Sequence, residues 1–219
     1  MAITLVIGAS RGIGAALVEQ LAARGDAVVA TGRQLPALPL SGVRWIGGID
    51  VATPEGREAL RAQLSEGSVG TLIHNAGVLE DDSLDTVRAA GIERQMQVNA
   101  LAPLLLTQTL LRALAPGARL AYITSRMGSI GDNTSGSHYG YRMSKAALNM
   151  AARCLAIDLK PRDIKVAVLH PGYVRTAMTG GQGQLEPAES AALLLARIAQ
   201  MTTENSGSFW HANGQALPW

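Results

Sequence analysis

Tyr141 and Lys145 stand four residues apart in Tyr139-Gly140-Tyr141-Arg142-Met143-Ser144-Lys145-Ala146-Ala147-Leu148, the opening of a long run of helix formers. On a helix that spacing puts a phenol and an ammonium on one face. A nearby cation stabilises a phenolate and lowers a tyrosine pKa from about 10. Tyr141 can then act as a general acid toward a carbonyl, or as a general base toward an alcohol. The same spacing also describes an exposed pair on any helix, so the context must come from elsewhere.

Two further residues supply context. Ser125 follows the apolar run Leu120-Ala121-Tyr122-Ile123-Thr124 and should emerge where a strand ends, its hydroxyl placed to hydrogen-bond a substrate carbonyl. A serine there is also an ordinary turn former. Asn99, in Gln97-Val98-Asn99-Ala100, interrupts a helical stretch with an amide that helices do not favour. It is either a buried hydrogen-bonding group or one that orders a water beside Lys145.

Near the amino terminus, Gly8-Ala9-Ser10-Arg11-Gly12-Ile13-Gly14 lies between an apolar run and a helix-forming one. Glycines at such a junction let backbone N–H groups and a helix amino terminus approach a pyrophosphate. The spacing is GxxxGxG, neither GxGxxG nor the Walker pattern, and a plain turn would also use glycine. About 20 residues beyond such a loop, an acidic residue commonly bonds the ribose 2′-hydroxyl. Here the chain reads Gly32-Arg33-Gln34, without an acid. Arg33, with Arg11 from the loop itself, is suited to a 2′-phosphate, which predicts NADP(H) over NAD(H). The alternative is that both arginines are solvated surface groups.

These residues need a scaffold that gathers loops. Apolar runs at Ile3 to Ile7, Ala27 to Thr31, Val43 to Ile46, Thr71 to Ile73, Arg119 to Thr124 and Ile164 to Leu169 predict strands buried on both faces, and a last short strand is expected near Ser208 to His211. Between them, Gly12 to Arg24, Pro54 to Ser65, Ile92 to Ala115, Tyr139 to Leu159 and Glu186 to Met201 predict helices. The alternation is that of an α/β Rossmann fold: a doubly wound parallel sheet with helices on both faces, in one domain over residues 1–219. Thr179 to Gln184 reads as a loop and Gly214 to Trp219 as a tail. Open sheets of this kind bind ligands beyond the carboxyl ends of their strands.

Composition narrows the classes. Across 219 residues, 47% are hydrophobic and 16% charged, which suits a packed core and excludes disorder. The net charge of +2 is scattered, so nucleic acid is not an expected partner. Asn99 to Leu114 is broken by Pro103, Gln108 and Arg112 before bilayer length, and the amino-terminal apolar run has no basic region before it. Neither a membrane span nor export is expected, and the single cysteine, Cys154, reads as core filling in a reducing, cytoplasmic setting. No metal site is expected.

Taken with Asp50, Asn75-Ala76-Gly77 and Pro171-Gly172-Tyr173-Val174-Arg175-Thr176, these motifs make the chain resemble the short-chain dehydrogenase/reductase family over nearly its whole length. The resemblance implies that Asn99, Ser125, Tyr141 and Lys145 form a catalytic tetrad. It implies a cofactor site built from Gly8, Ser10, Arg11, Gly12, Ile13, Gly14, Arg33, Asp50, Val51, Asn75, Ala76, Gly77, Tyr141, Lys145, Pro171, Gly172, Val174 and Thr176. Asp50 would meet the adenine, Thr176 the nicotinamide carboxamide, and Lys145 the nicotinamide ribose. It further implies a small carbonyl or alcohol substrate and a homodimer or homotetramer. Ile130 to Gly136 and the ending Leu217-Pro218-Trp219 are similar to the branch holding the carbonyl reductase Sniffer and the C-signal proteins, which favours NADPH-dependent carbonyl reduction.

Two positions depart from the family pattern: Ile7 where threonine is common, and His74 where asparagine is. His74 is expected to be a packed, hydrogen-bonded group rather than a base. A rival reading is a signalling or regulatory protein that binds NADP(H) with little turnover, for which a proton donor is superfluous. An epimerase or dehydratase would need a larger substrate region than follows Thr176.

Overall fold

The computed structural model of the protein describes residues 2–219. Its first strand, β1 (Ile3–Ile7), shows how the apolar runs are used. Side chains alternate across a strand. Leu5 and Ile7 accordingly join the core on one side of the sheet, and Val6 joins the core on the other. The other strands are β2 (Val28–Thr31), β3 (Arg44–Ile46), β4 (Val69–His74), β5 (Leu114–Ile123), β6 (Lys165–His170) and β7 (Ser208–His211). All pair in parallel, in the order β3-β2-β1-β4-β5-β6-β7. The chain runs outward from β1 to β3 and then returns to set β4 beside β1. That reversal opens a crevice at the carboxyl ends of β1 and β4.

The helices are α1 (Gly12–Ala23), α2 (Pro54–Arg61), α3 (Ala89–Met96), α4 (Ala102–Thr109), α5 (Tyr139–Asp158) and α6 (Pro187–Ala199). On one face, Leu17 and Leu21 of α1 and Leu194 and Ile198 of α6 pack on Val6, Ala30, Ala121 and Leu169. On the other, Leu60 of α2, Leu106 of α4 and Leu148 of α5 pack on Leu5, Leu72, Leu120 and Val166. The Rossmann fold is therefore the one its sequence pattern predicts, with helices on both faces.

Several expectations are corrected. The helix expected over Ile92 to Ala115 is three pieces, α3, a π turn at Gln97–Leu101, and α4. Pro103 has no N–H to give the ladder, and the N–H of Ala102 reaches back five residues to Gln97 instead. β5 begins at Leu114, earlier than expected, because Leu114 pairs with Val69 before the register slips. α2 stops at Arg61, short of Ser65. Cys154 is exposed and is not core filling. The buried stripe of α5 runs through Leu148, Ala152 and Ala156, and Cys154, two residues past Ala152, projects from the opposite side. The expected tail is docked: Leu217 is buried, its N–H bonds Phe209, and the Trp219 ring lies 5.4 Å from that of Phe209. No helix among the described residues is long and apolar enough to cross a membrane.

Candidate active site

A cleft of about 740 Å³ lies along the carboxyl ends of β1, β2, β4 and β5. The loop after β1 forms one end of it with Gly8, Ser10, Arg11, Gly12 and Ile13, the last two opening α1. The loop after β2 adds Arg33, and the segment after β3 adds Asp50 and Val51. Neither Arg11 nor Arg33 has a carboxylate partner among the described residues, and both are exposed. Asn75, Ala76 and Gly77 line the cleft after β4, and Pro171 and Thr176 after β6.

Of the residues expected at a cofactor, Gly14, Gly172 and Val174 stand behind this wall. Gly14 is buried because its role is close approach: a Cβ there would sit 2.1 Å from the Gly8 carbonyl oxygen and 2.7 Å from Asn75 Nδ2. The Asn75 amide in turn donates to that same carbonyl at 2.8 Å, tying β4 to the glycine loop. Gly172 faces Leu185, and Val174 is buried and bridged to Leu185. Ile49, Val78, Arg94 and Val98 also line the cleft and were not anticipated, since nothing in their types distinguishes them from core or surface residues.

Tyr141 and Lys145 line the other end, one turn apart on α5. Both are buried, at 7% and 4% exposure, and Lys145 Nζ stands 5.6 Å from the centre of the Tyr141 ring. The ammonium donates to the Ile123 carbonyl at 3.0 Å. Gly77 gives it room, since a Cβ there would lie 3.5 Å from Nζ and 3.2 Å from Asn99 Oδ1. Ser125, just past the end of β5, lies near the Tyr141 phenol without lining the cleft, and its hydroxyl accepts from the Met127 N–H at 3.2 Å.

Asn99 sits in the π turn and does not line the cleft. Its Oδ1 accepts from the Val78 N–H and its Nδ2 donates to the Val78 carbonyl, both at 2.8 Å. A third bond, 3.0 Å, runs from Nδ2 to Ser144 Oγ, whose hydroxyl donates to the Tyr141 carbonyl at 2.8 Å. Asn99 thereby joins the segment after β4 to the turn of α5 that carries Tyr141. Ser144 was missed, although a serine three residues beyond Tyr141 lies on the same helical face. Asn149, four residues past Lys145, similarly accepts from the Thr124 hydroxyl at 2.7 Å and holds the end of β5.

The electrostatics differ from the expectation that the ammonium lowers the phenol pKa. Burial dominates and pushes Tyr141 up to about 12, with the nearby Ser125 hydroxyl opposing it. Burial also pulls Lys145 down to about 8. Near neutral pH the pair is a neutral phenol beside a mostly charged ammonium, the form able to donate a proton. His74 is buried at the end of β4 and pulled down to about 3, by burial first and the Lys145 cation second. Its Nε2 has no hydrogen-bond partner among the described residues, so it is packed but less satisfied than expected.

Comparisons with known proteins identify the family. The family model described as short chain dehydrogenase matches residues 2–186. The 1-hydroxy-2-glutathionyl-2-methyl-3-butene dehydrogenase of Rhodococcus sp. (strain AD45) is 39% identical over 229 residues, covering 100% of both chains. The carbonyl reductase Sniffer of D. melanogaster superposes with a TM-score of 0.92 at 26% identity, over 100% of both chains. An NADPH-bound carbonyl reductase from chicken fatty liver superposes with a TM-score of 0.91 at 28% identity, again over 100% of both. With its sheet order, its cleft and the full-length match to a dehydrogenase, the chain belongs to the short-chain dehydrogenase/reductase family of oxidoreductases.

Proposed function

We propose that the protein is an NADP(H)-dependent carbonyl reductase, able to run the reverse alcohol oxidation, with Tyr141 as the general acid/base. The observation that carries this reading is a single cleft with two arginines at one end, neither paired to a carboxylate among the described residues, and a buried phenol beside a buried ammonium at the other.

The residues fit a dinucleotide. Gly12 and the amino terminus of α1 offer main-chain N–H groups to the diphosphate, while the Gly8 N–H is spent on the Thr31 carbonyl and Gly14 and Asn75 lock the loop from behind. Arg11 and Arg33 suit the 2′-phosphate, Asp50 and Val51 the adenine end, and Pro171 and Thr176 the nicotinamide end. When bound, the cofactor supplies or accepts the hydride. The chain's own work is orientation and proton transfer. Ser125 and Tyr141 hydrogen-bond the carbonyl oxygen, which makes its carbon the electrophile. As the carbon takes the hydride, the Tyr141 hydroxyl gives its proton to that oxygen, leaving an alcohol and a phenolate. The Lys145 ammonium stabilises the phenolate. Asn99 and Ser144 fix the backbone from which the phenol projects.

The test is a titration with NADPH and NADH, followed by a panel of aldehydes, ketones and quinones. Because the Rhodococcus relative is named as a dehydrogenase of a glutathionyl-bearing alcohol, thioether alcohols with NADP belong in the panel. NADPH preference with turnover supports the reading; NADPH binding without turnover on any panel member moves the assignment to a cofactor-binding regulator. Tyr141→Phe should bind NADPH as before and lose about 10²- to 10⁴-fold in turnover, the usual contribution of a general acid. Unimpaired turnover in that variant would remove Tyr141 from the mechanism.

A further inference from the structure

The Tyr141 helix begins without a cap of its own. The residues entering α5, Ser137 and His138, have φ of 54° and 52°, a left-handed conformation uncommon outside glycine, and the His138 side chain makes no capping bond. The first N–H groups of any helix need acceptors from outside it. Here they come from one residue 57 positions away. The Asp82 main-chain oxygen accepts from the His138 N–H at 2.8 Å, its Oδ1 from the Tyr139 N–H at 2.5 Å, and its Oδ2 from the Gly140 N–H at 3.1 Å. Tyr141 is the next residue.

The loop carrying Asp82 is tied to the site at its other end. Val78 makes two bonds with Asn99, and the Glu80 N–H donates to Gln95 Oε1 at 3.1 Å. Asp81 Oδ1 lies 3.2 Å from His138 Nδ1. Residues 78–82 therefore form a strut from Asn99 to the first turn of α5. We propose that Asp82 is a positioning residue for the reaction: as a cap from a remote loop, it fixes where the Tyr141 phenol stands relative to Asn99 and Ser125. A carboxylate suits this place, since the helix dipole presents positive charge there. The body of α5 is held separately by the burial of Leu148, Ala152 and Ala156, so loss of the cap frees the first turn without releasing the helix.

This rests on Tyr141 being the proton donor, and the experiment separates the two claims. Asp82→Ala, Asp82→Asn, Tyr141→Phe and, as a control on the same loop, Asp85→Ala are made in the full-length protein. Misplacing a reacting group by about 1 Å can cost on the order of a hundredfold, so Asp82→Ala should lose about tenfold or more in kcat, with KM and NADPH affinity held within about twofold. Its solvent isotope effect on kcat should rise, and the amides of Tyr139 to Tyr141 should exchange faster by hydrogen–deuterium measurement. Asp82→Asn keeps one acceptor and should recover part of the rate; Asp85→Ala should match the unaltered protein. Unchanged exchange at those amides overturns the proposal whether or not a panel substrate turns over. So does a parallel fall in kcat, NADPH affinity and Tm, which marks a merely structural role. If Tyr141→Phe is inactive while Asp82→Ala runs at full rate, only the positioning role fails; if Tyr141→Phe is fully active, the underlying reading fails first.

Discussion

On the proposed mechanism, the charge of Lys145 sets the working pH range. A lysine in water stays charged to about pH 10, but burial brings this one down to about 8, while the phenol beside it goes up to about 12. As pH rises from 7, the first change is loss of the ammonium; the phenol keeps its proton. Reductive kcat/KM, which reports the free enzyme, is therefore expected to fall as pH rises through about 8, well before tyrosine ionises. A profile flat from pH 7 to 10 would remove the ammonium from this role. At the other end of the cleft, Arg11→Ala and Arg33→Ala each remove one of the two charges proposed to hold the 2′-phosphate. Each should weaken NADPH binding by about tenfold to a hundredfold, as the loss of roughly 1.5 to 3 kcal/mol per such bond implies. NADH binding, titrated by cofactor fluorescence, should barely change; equal losses for both cofactors would place the arginines elsewhere. Tyr141, Lys145, Ser125 and Asn99 were legible because each is an unusual type at a readable place on a helix or strand end. Val78 was not, because it works through its main chain, and neither was Asp82, whose side-chain partners lie 57 and 58 residues away.

At the scale of elements, the serine and the tyrosine come from different pieces, and their meeting depends on how closely those pieces pack. The turn after β5, Arg126–Gly128, is pressed against α5 at Lys145. A Cβ on Gly128 would fall 2.8 Å from both the Lys145 main-chain carbon and its Cβ, so the turn would have to move away from the helix. Gly128→Ala should therefore separate Ser125 from Tyr141. The expected outcome is a loss of kcat together with a lower Tm, since overpacking costs about 1 to 3 kcal/mol. Wild-type kcat in a well-folded Gly128→Ala protein would show that the contact does not align the pair. The alternation of apolar runs reveals that β5 and α5 exist, but not that a glycine sets their separation. The same limit hid the break between α3 and α4. Residue types favour one long helix, whereas Pro103 and the bonds from Asn99 to Val78 impose a π turn. The doubly wound parallel sheet, by contrast, follows from the alternation itself, because parallel strands joined by helices have few ways to wind, although its strand order does not.

For the whole molecule, the carboxyl edge of the sheet carries the cleft together with two histidines, His74 buried and His170 half-buried. His74 ends β4 beside Asn75, and His170 ends β6 beside Pro171, 4.9 Å edge-on from His211. Burial pulls each down to about 3; the Lys145 cation adds to this at His74, and the His211 and Arg126 charges add to it at His170. In the unfolded chain both histidines titrate near 6.5. Below that pH the unfolded state takes up protons that the native state refuses, so this contribution to stability is full above 6.5 and is lost as pH falls toward 3. At about 1.4 kcal/mol per pKa unit, each site carries a few kcal/mol, a large share of the margin of an ordinary domain. The protein should consequently lose Tm steeply between pH 6.5 and 4, above the range where carboxylates protonate in bulk. His74→Gln should flatten that slope while leaving Tm at pH 7.5 less affected. Because both histidines adjoin loops of the cleft, NADPH should resist the loss if it binds there, raising Tm more at pH 5.5 than a ligand-free protein at the same pH would reach. A melt series at pH 7.5, 6.5, 5.5 and 4.5, with and without NADPH, decides it. An unaltered protein whose Tm holds level to pH 4.5 would mean that the edge opens to protonate its histidines without unfolding.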